Sequence, residues 1–262
     1  MKKHADFDVV ADLYDATFTH TLIGRMLRKR VWQVVGQYMP KQGNVLELNC
    51  GTGEDALWLA QNGYKVLATD GSPEMIRVTG DKIDRAGFSE QVKTRVVTLP
   101  VLSGIADFPA QCVWSNFGGL NCLSPDELLH LGREMQQHIP PGAVFVAVVM
   151  GRFCLWETLY YIGKGNWNQA FRRWRGGPVM ANLESDHQTK TWYHSPKTLA
   201  TALPGWQVQA ILPIGFWLPP SYLNPFFEKR PHLARFLEKA EQKFNNRIFA
   251  PMADHYCIIL SN

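Results

Sequence analysis

Apolar positions recur along this chain at two spacings. From Thr21 to Tyr38, Ile23, Leu27, Val31, Val34 and Tyr38 fall at helical intervals while Arg25, Arg28, Lys29 and Arg30 crowd the rest, which predicts an amphipathic helix ended by Pro40 and Gly43. The short run Asn44 to Leu48 reads as a strand, and Asn49-Cys50-Gly51-Thr52-Gly53 follows it. A helix is expected from Asp55 to Asn62, closing on Gly63, then a second strand from Lys65 to Asp70. Ser72-Pro73-Glu74 supplies an N-cap, a first-turn proline and an acid favoured by the helix dipole, so another helix starts there and ends near Gly87. Strands are expected over Thr94 to Thr98 and Gln111 to Ser115. Ser124-Pro125-Asp126-Glu127 has capping-box spacing and opens a helix over Leu128, Leu129, Leu131 and Met135, stopped by Pro140-Pro141-Gly142. Ala143 to Met150 is continuously apolar, as a strand buried on both faces should be.

Residues 44–150 therefore repeat strand, helix, strand, which predicts an α/β fold with a doubly wound sheet and right-handed crossovers. After Gly151 the texture changes. Residues 152–200 are rich in Trp, Tyr and Arg, and 219–249 form a second such stretch. Gln207 to Ile211 and His255 to Leu260 read as further strands. We expect one domain over 1–262, with a core of 21–150 plus strands near 206–215 and 255–260. The stretches 152–200 and 219–249 are expected to be insertions capping the substrate.

Composition narrows the class. Apolar residues make up 46% and charged residues 19% of 262, which excludes intrinsic disorder. Twenty-seven Lys and Arg against 23 Asp and Glu give +4, with no long basic run, so no nucleic-acid partner is expected. No apolar run approaches the ~20 residues that cross a bilayer, so no stable membrane insertion is expected. The N-terminus meets acids at once, which argues against a secretion signal. Five scattered cysteines without a C-x-x-C pair suit buried thiols in a reducing cytoplasm and no metal site.

The chemistry concentrates around Gly51-x-Gly53, with Asp70 at the end of the next strand, a spacing that also fits a dinucleotide fingerprint. The acids Glu47, Glu54 and Asp55 around the loop argue otherwise. A diphosphate there would face carboxylates at a cost of about 4 kcal/mol per pair at ~4 Å and an effective dielectric of ~20. A ligand with a cationic end and a ribose diol suits the loop better, and S-adenosylmethionine is one. Glycines allow close backbone approach, and Asp70 can accept from both ribose hydroxyls.

Val45-Leu46-Glu47-Leu48-Asn49-Cys50-Gly51-Thr52-Gly53-Glu54 resembles motif I of the class I S-adenosylmethionine-dependent methyltransferases, and Thr69-Asp70-Gly71-Ser72-Pro73-Glu74-Met75-Ile76 resembles their second motif. The resemblance covers residues 44–150. It implies a Rossmann-like seven-stranded sheet, mostly parallel with an antiparallel C-terminal strand, bearing helical and aromatic insertions as a lid. It implies that Glu47 organises the loop, that Asn49, Gly51, Thr52 and Gly53 line the methionine and ribose parts, and that Asp70 holds the ribose. Gly71, Ser72 and Met75 would flank the adenine. Thr98 and Leu99 would cover its other side, where the family often has an acid and this chain has Thr98-Leu99-Pro100. Asn116, Phe117 and Gly118 would lie beside the transferable methyl, and Tyr14-Asp15 resembles the tyrosine segment that folds over the cofactor in small-molecule methyltransferases.

Each assignment has a plainer competitor. Glu47 can cap backbone amides, Asp70 can serve the Ser72-Pro73 turn, and Tyr14 can be a packed aromatic. Phe117 and Asn121 are read as lining the substrate, against a role as turn residues. Trp156, Tyr160, Trp192 and Tyr193 are read as contacts to an apolar or aromatic acceptor, against a role as the core of an insertion. His194 is the weak candidate for a general base; otherwise the catalytic residues, the acceptor atom and the oligomeric state stay open. The expected activity is methyl transfer to a small molecule. The alternatives are an RNA or DNA methyltransferase, whose Asn/Asp-Pro-Pro-aromatic tetrad is absent at Asn116-Phe117-Gly118-Gly119, a nicotinamide oxidoreductase, and a non-catalytic S-adenosylmethionine-binding protein.

Overall fold

The computed structural model describes residues 7–184, 187–244 and 246–262; the reading of the extreme N-terminus falls on 1–6, outside them. The first turns run through a 3-10 turn, the short helix α1 (Ala11–Tyr14) and a π-helical turn at Asp15–Thr19 to α2 (Leu22–Val35). Thr21 caps α2 by accepting from the Gly24 N–H at 3.1 Å. Strand β1 (Asn44–Leu48), α3 (Glu54–Gln61), β2 (Lys65–Asp70), α4 (Pro73–Ala86), β3 (Val92–Val96), β4 (Cys112–Ser115), α5 (Pro125–His138) and β5 (Val144–Met150) follow in alternation. The caps are those the sequence signals: Ser72 accepts from Met75 N–H, Gly87 is left-handed, and Ser124 and Glu127 close a full capping box.

The second half carries α6 (Leu155–Gly163), α7 (Trp167–Ala170), the hairpin β6 (Val179–Glu184) and β7 (His187–Thr191), and α8 (Pro196–Ala202). Then come β8 (Gln207–Ile214), α9 (Asn224–Glu228), α10 (Pro231–Lys243) and β9 (His255–Ser261). The main sheet has seven strands in the order β3-β2-β1-β4-β5-β9-β8. β9 runs antiparallel to both its neighbours, and β1 to β5 pair in parallel. Alternate residues feed the two faces: Val45, Val146 and Val148 join one apolar cluster, while Leu46, Leu48, Phe145 and Val149 join the other. This two-sided burial explains why β5 reads as an unbroken apolar run.

Two details depart from the sequence reading. β3 lies two residues earlier than Thr94 to Thr98, because Val92 N–H is tied to Phe88 O directly after the Gly87 cap. The hairpin β6–β7 gives no period-two signal, since His187-Gln188-Thr189-Lys190-Thr191 is polar throughout. Leu199 and Ala202 of α8 are buried in the same cluster as Leu131 of α5 and Phe145 of β5. Strand order reverses between β1 and β4, so the ligand crevice of such a sheet opens at their carboxyl ends. Among the described residues, no helix is long and apolar enough to cross a membrane.

Candidate functional site

The loop after β1 turns sharply. Asn49 (φ 50°), Gly51 (φ 55°) and Gly53 (φ 77°) are all left-handed. At Gly51 the space is open, with no heavy atom within 4 Å of where a side chain would start. At Gly53 a side chain would meet Thr79 Cγ2 at 2.5 Å, so α3 and α4 approach each other there only across a glycine. Cys50 N–H donates to Thr69 O (2.8 Å), Gly53 N–H to Cys50 O (3.0 Å) and Gly51 N–H to Asp70 Oδ2 (2.9 Å). Three amides of the loop are thus already engaged within the protein.

Asp70 closes this arrangement. Its Oδ1 accepts from Ser72 N–H at 2.9 Å, leaving each carboxylate oxygen with a further lone pair. Burial pushes its carboxyl up to about 6, against the pull of the Ser72, Gly51 and Gly71 amides, and the nearby Asp8 adds to the rise. Glu47 is 2% exposed, and among the described residues its Oε2 has no hydrogen-bond partner. Burial, with Asp55 and Asp70 adding to it, raises this carboxyl well above the usual carboxylate range. An orphaned buried carboxylate is costly unless a donor reaches it.

The pairing of the neighbouring acids corrects the simple charge argument. Glu54 is bound to Lys82 at 3.0 Å, and Lys82 also holds Asp15 at 2.8 Å. Asp55 is buried against Arg28, accepts from Trp32 Nε1 (2.7 Å), and takes Asn116 Nδ2 (2.9 Å). Those two acids are neutralised, because α2 and α4 bring cations that the local sequence does not show. The carboxyls at the loop for which no ion pair is formed among the described residues are Glu47 and Asp70, and burial raises both.

The N-terminal segment covers this cradle. Thr52 Oγ1 donates to Asp15 Oδ1 at 2.6 Å, and Tyr14 packs on Phe18 at 5.7 Å. Burial pushes the Tyr14 phenol up to about 12, with Arg28 opposing. Phe117, left-handed at φ 47°, meets Phe18 edge-on at 5.4 Å and lies under Arg28 at 5.1 Å. Asn49 accepts from Ser115 Oγ at 3.0 Å, and a side chain on Gly119 would collide with it, which locks β1 to β4. Thr98 sits against Gly71, and Gly118 N–H reaches Val148 O at 3.4 Å. The structure thus gathers Tyr14, Glu47, Asn49, Gly51, Thr52, Gly53, Asp70, Gly71, Ser72, Thr98, Asn116, Phe117 and Gly118 at one edge of the sheet. Met75 turns its side chain into the packing with Val10 and Ala11, and Leu99 packs against the cluster on the other face.

Three sequence assignments change. Asn121 is fully buried; its amide donates to Met150 O and Trp192 O and accepts from Met150 N–H. Every strong bonding position is taken by backbone, so Asn121 ties elements together and does not line the substrate space. His194 is buried, its Nε2 lies 3.0 Å from Leu123 O, and burial holds its pKa down; with that nitrogen turned to a backbone carbonyl, the geometry gives it a packing role in place of a base. Trp156 donates Nε1 to Phe216 O at 3.0 Å and packs on Phe227, a strut between the two insertions. Trp192 is half-buried with its backbone tied to Asn121. Tyr160 packs against Tyr161 and Tyr222, and Tyr193 lies under Arg173 at 4.9 Å.

Sequence reasoning missed a buried ion network beyond Phe117. Glu157 is clamped by Arg172 and Arg173, and Arg173 also reaches Asp254 Oδ1 at 2.6 Å. Asp254 Oδ2 lies 3.2 Å from His255 Nδ1, and the His255 ring stands edge-on to Phe117 at 5.5 Å. Because β9 is antiparallel, its first residue, His255, stands at the carboxyl edge of the parallel strands, opposite Met150. The only local signal was the Asp-His pair opening the last strand. Among the described residues, no cluster of His, Cys, Asp and Glu can hold a metal ion.

The Asp70 geometry yields a pH prediction. Adenosine carries the diol but no ammonium, so its affinity reports Asp70 and not Glu47. If ionised Asp70 is the group that accepts from both hydroxyls, adenosine affinity should be flat above about pH 7 and fall toward about tenfold per pH unit below 6. Calorimetric titration from pH 5 to 8 checks this; constant affinity across the range rules out the assignment.

Residues 45–142 match the model of a family described as "Methyltransferase domain". A Bacillus subtilis (strain 168) protein named "Putative methyltransferase YqeM" is 32% identical over 73 residues, which is 28% of this chain and 28% of that protein. The chain therefore spans under a third of the length of this curated relative. Among solved structures, an S-adenosylmethionine-dependent methyltransferase from Clostridium acetobutylicum ATCC 824 superposes with TM-score 0.60 at 11% identity, covering 98% of this chain and 99% of that one. The glycopeptide N-methyltransferase MtfA, solved with S-adenosylmethionine, gives TM-score 0.55 at 13% identity over 88% and 92% of the chains.

Proposed function

We propose, from the premise that this chain carries a methyltransferase domain of the class I, Rossmann-like fold, that it transfers a methyl group from S-adenosylmethionine to a small, apolar or aromatic acceptor. The observation that carries the reading is the pair of carboxyls without an ion pair among the described residues, Glu47 and Asp70, around a glycine turn whose Gly51 amide is already given to Asp70. Such a loop offers little to a diphosphate, which needs free amides, and much to a cation beside a diol. When bound, S-adenosylmethionine supplies a methyl already activated by its positive sulfur and open to in-line displacement.

The chain's own residues then have distinct tasks. Asp70 accepts from the ribose hydroxyls, and Glu47 gains the donor its buried oxygen lacks. Tyr14, Asp15 and Phe18 cover the loop and exclude water, which strengthens every charge interaction beneath them. Phe117 sets the floor between cofactor and acceptor, and holding the two aligned supplies much of the rate. On the acceptor side, His255, with its Nδ1 3.2 Å from Asp254 Oδ2, is the candidate general base for a protonated acceptor. Tyr160 and Tyr193 give that side its aromatic character. MtfA, which the fold resembles, acts by name on a glycopeptide, and a small-molecule acceptor for this chain fits the same architecture.

A paired titration tests the reading. S-adenosylhomocysteine is expected to bind by calorimetry, and NADH is expected to give no saturable fluorescence change. Tighter binding of NADH would overturn it. Labelled S-adenosylmethionine incubated with a metabolite extract is expected to yield a labelled small molecule; label entering only nucleic acid would redirect the acceptor class.

A further inference from the structure

The second insertion presents a surface that the proposed reaction does not use. On α10, Ala234 and Glu241 are buried and Glu238 reaches Lys29 of α2 at 3.1 Å, so this face packs on the body of the protein. The opposite face is exposed and carries Phe236, 67% exposed, with Lys239 and Lys243. Phe236 and Lys243 are seven residues apart and so share that face. The face extends at both ends: Arg230 lies over the Phe226 ring at 4.0 Å where α9 meets α10, and Lys243 lies 5.6 Å from the Phe244 ring. Lys243, Phe244 and Arg247 line one open groove of about 810 Å³ against β8, and Ile248 beside it is 66% exposed.

Charge on this segment is one-sided. Lys229, Arg230, Arg235, Lys239, Lys243 and Arg247 are exposed, and between residues 221 and 250 the only fully exposed acid is Glu228. Residues 221–250 thus carry six Lys and Arg against three Glu, on a surface studded with exposed Phe, Leu and Ile. We propose that the α9–α10 surface docks this protein reversibly on an anionic phospholipid membrane, with Phe236 and Ile248 entering the headgroup layer and the cations meeting lipid phosphates and carboxylates.

The physics favours lipid over single-stranded nucleic acid. Bases stack on free aromatic faces, but Arg230 and Lys243 lie over the rings of Phe226 and Phe244. Exposed aliphatic side chains such as Leu233 and Ile248 gain from a hydrocarbon boundary and nothing from a phosphate backbone. The surface also adjoins the acceptor side, because Tyr222, just before α9, packs on Tyr160 and Tyr161 of α6.

Sedimentation with vesicles tests this on the full chain. Wild type is expected to co-sediment with phosphatidylcholine–phosphatidylserine vesicles and to stay in solution with phosphatidylcholine alone. Binding should decline with added salt. Lys239→Glu with Lys243→Glu should lower vesicle affinity by tenfold or more, at about fivefold per cation removed, and Phe236→Ser with Ile248→Ser should lower it without changing the salt dependence. Arg85→Glu with Lys93→Glu, the same charge change on α4 and β3, should bind as wild type does. Circular dichroism melting confirms that each variant is folded. The proposal is overturned by equal sedimentation with both vesicle types or with neither. It is also overturned if the α4–β3 variant loses as much binding as the α10 variant, or if an RNA oligonucleotide binds this face and anionic vesicles do not.

Discussion

Asp70→Ala is expected to weaken S-adenosylhomocysteine binding by about a hundredfold or more, since two charge-assisted hydrogen bonds to the ribose are lost at about 1.5–3 kcal/mol each. The loss should not come from unfolding. The carboxyl stands at about 6 against an ordinary 3.8, so its ionised form costs the unliganded fold about 3 kcal/mol at neutral pH. Alanine removes that cost while leaving the Gly51 and Ser72 amides without their acceptor, and the two effects oppose each other. Thermal melting near the wild-type value together with lost calorimetric heat is therefore the expected pattern. Asp70→Asn keeps the shape but has one acceptor oxygen for two backbone donors, so an intermediate loss is expected. Full affinity in a folded Asp70→Ala protein would end the ribose assignment.

Arg173→Met is expected to cost about 3–5 kcal/mol of folding stability, a fall in melting temperature of about 6–20 °C for a chain of this size. The guanidinium is buried between Glu157 and Asp254, with Arg173 Nη2 at 2.9 Å and 2.6 Å from their oxygens. Burial alone would push both carboxyls up; Arg172 and Arg173 override it at Glu157, and His255 with Arg173 at Asp254, so both stand below their ordinary values. Glu157 keeps Arg172 in the variant, whereas Asp254 keeps only His255. These carboxyls are depressed in the fold, so their contribution is complete above about pH 5, where the unfolded groups are ionised, and is lost as pH falls toward the folded values. Denaturant unfolding should therefore show a large gap between variant and wild type at pH 7 and a smaller one near pH 4. Equal stability at pH 7 would show that the network contributes nothing net.

The two halves of the chain were unequally legible. From β1 to β5 the caps and breakers Ser72-Pro73, Gly87, Ser124 and Pro140-Pro141-Gly142 act within a few residues, and the elements fall close to where they place them. Gly51, Gly53 and Asp70 were legible for the same reason: a tight turn needs residues that tolerate positive φ, and the acid follows at fixed spacing. Beyond Gly151 the strands from Gln207 and from His255 were legible, while of the stretches between them the aromatic texture announced insertions and not their inner packing. Asn121 read as lining the substrate, against a turn role, until the fold tied its amide to the Trp192 carbonyl, 71 positions away.

The sequence by itself determined the alternating fold and the identity of the glycine turn, because capping, backbone freedom and two-sided burial are local properties that a chain carries wherever it goes. Only the tertiary structure decided which acids are paired with cations. Lys82 and Arg28 arrive from other helices to pair with Glu54 and Asp55, while among the described residues no donor reaches Glu47 Oε2. It also decided where each histidine stands, since the reversed direction of β9 brings His255 to the carboxyl edge against Phe117, and packing buries His194 against Leu123. Charge balance and exposure are sums over neighbours distant in the chain, and folding is what brings those neighbours together.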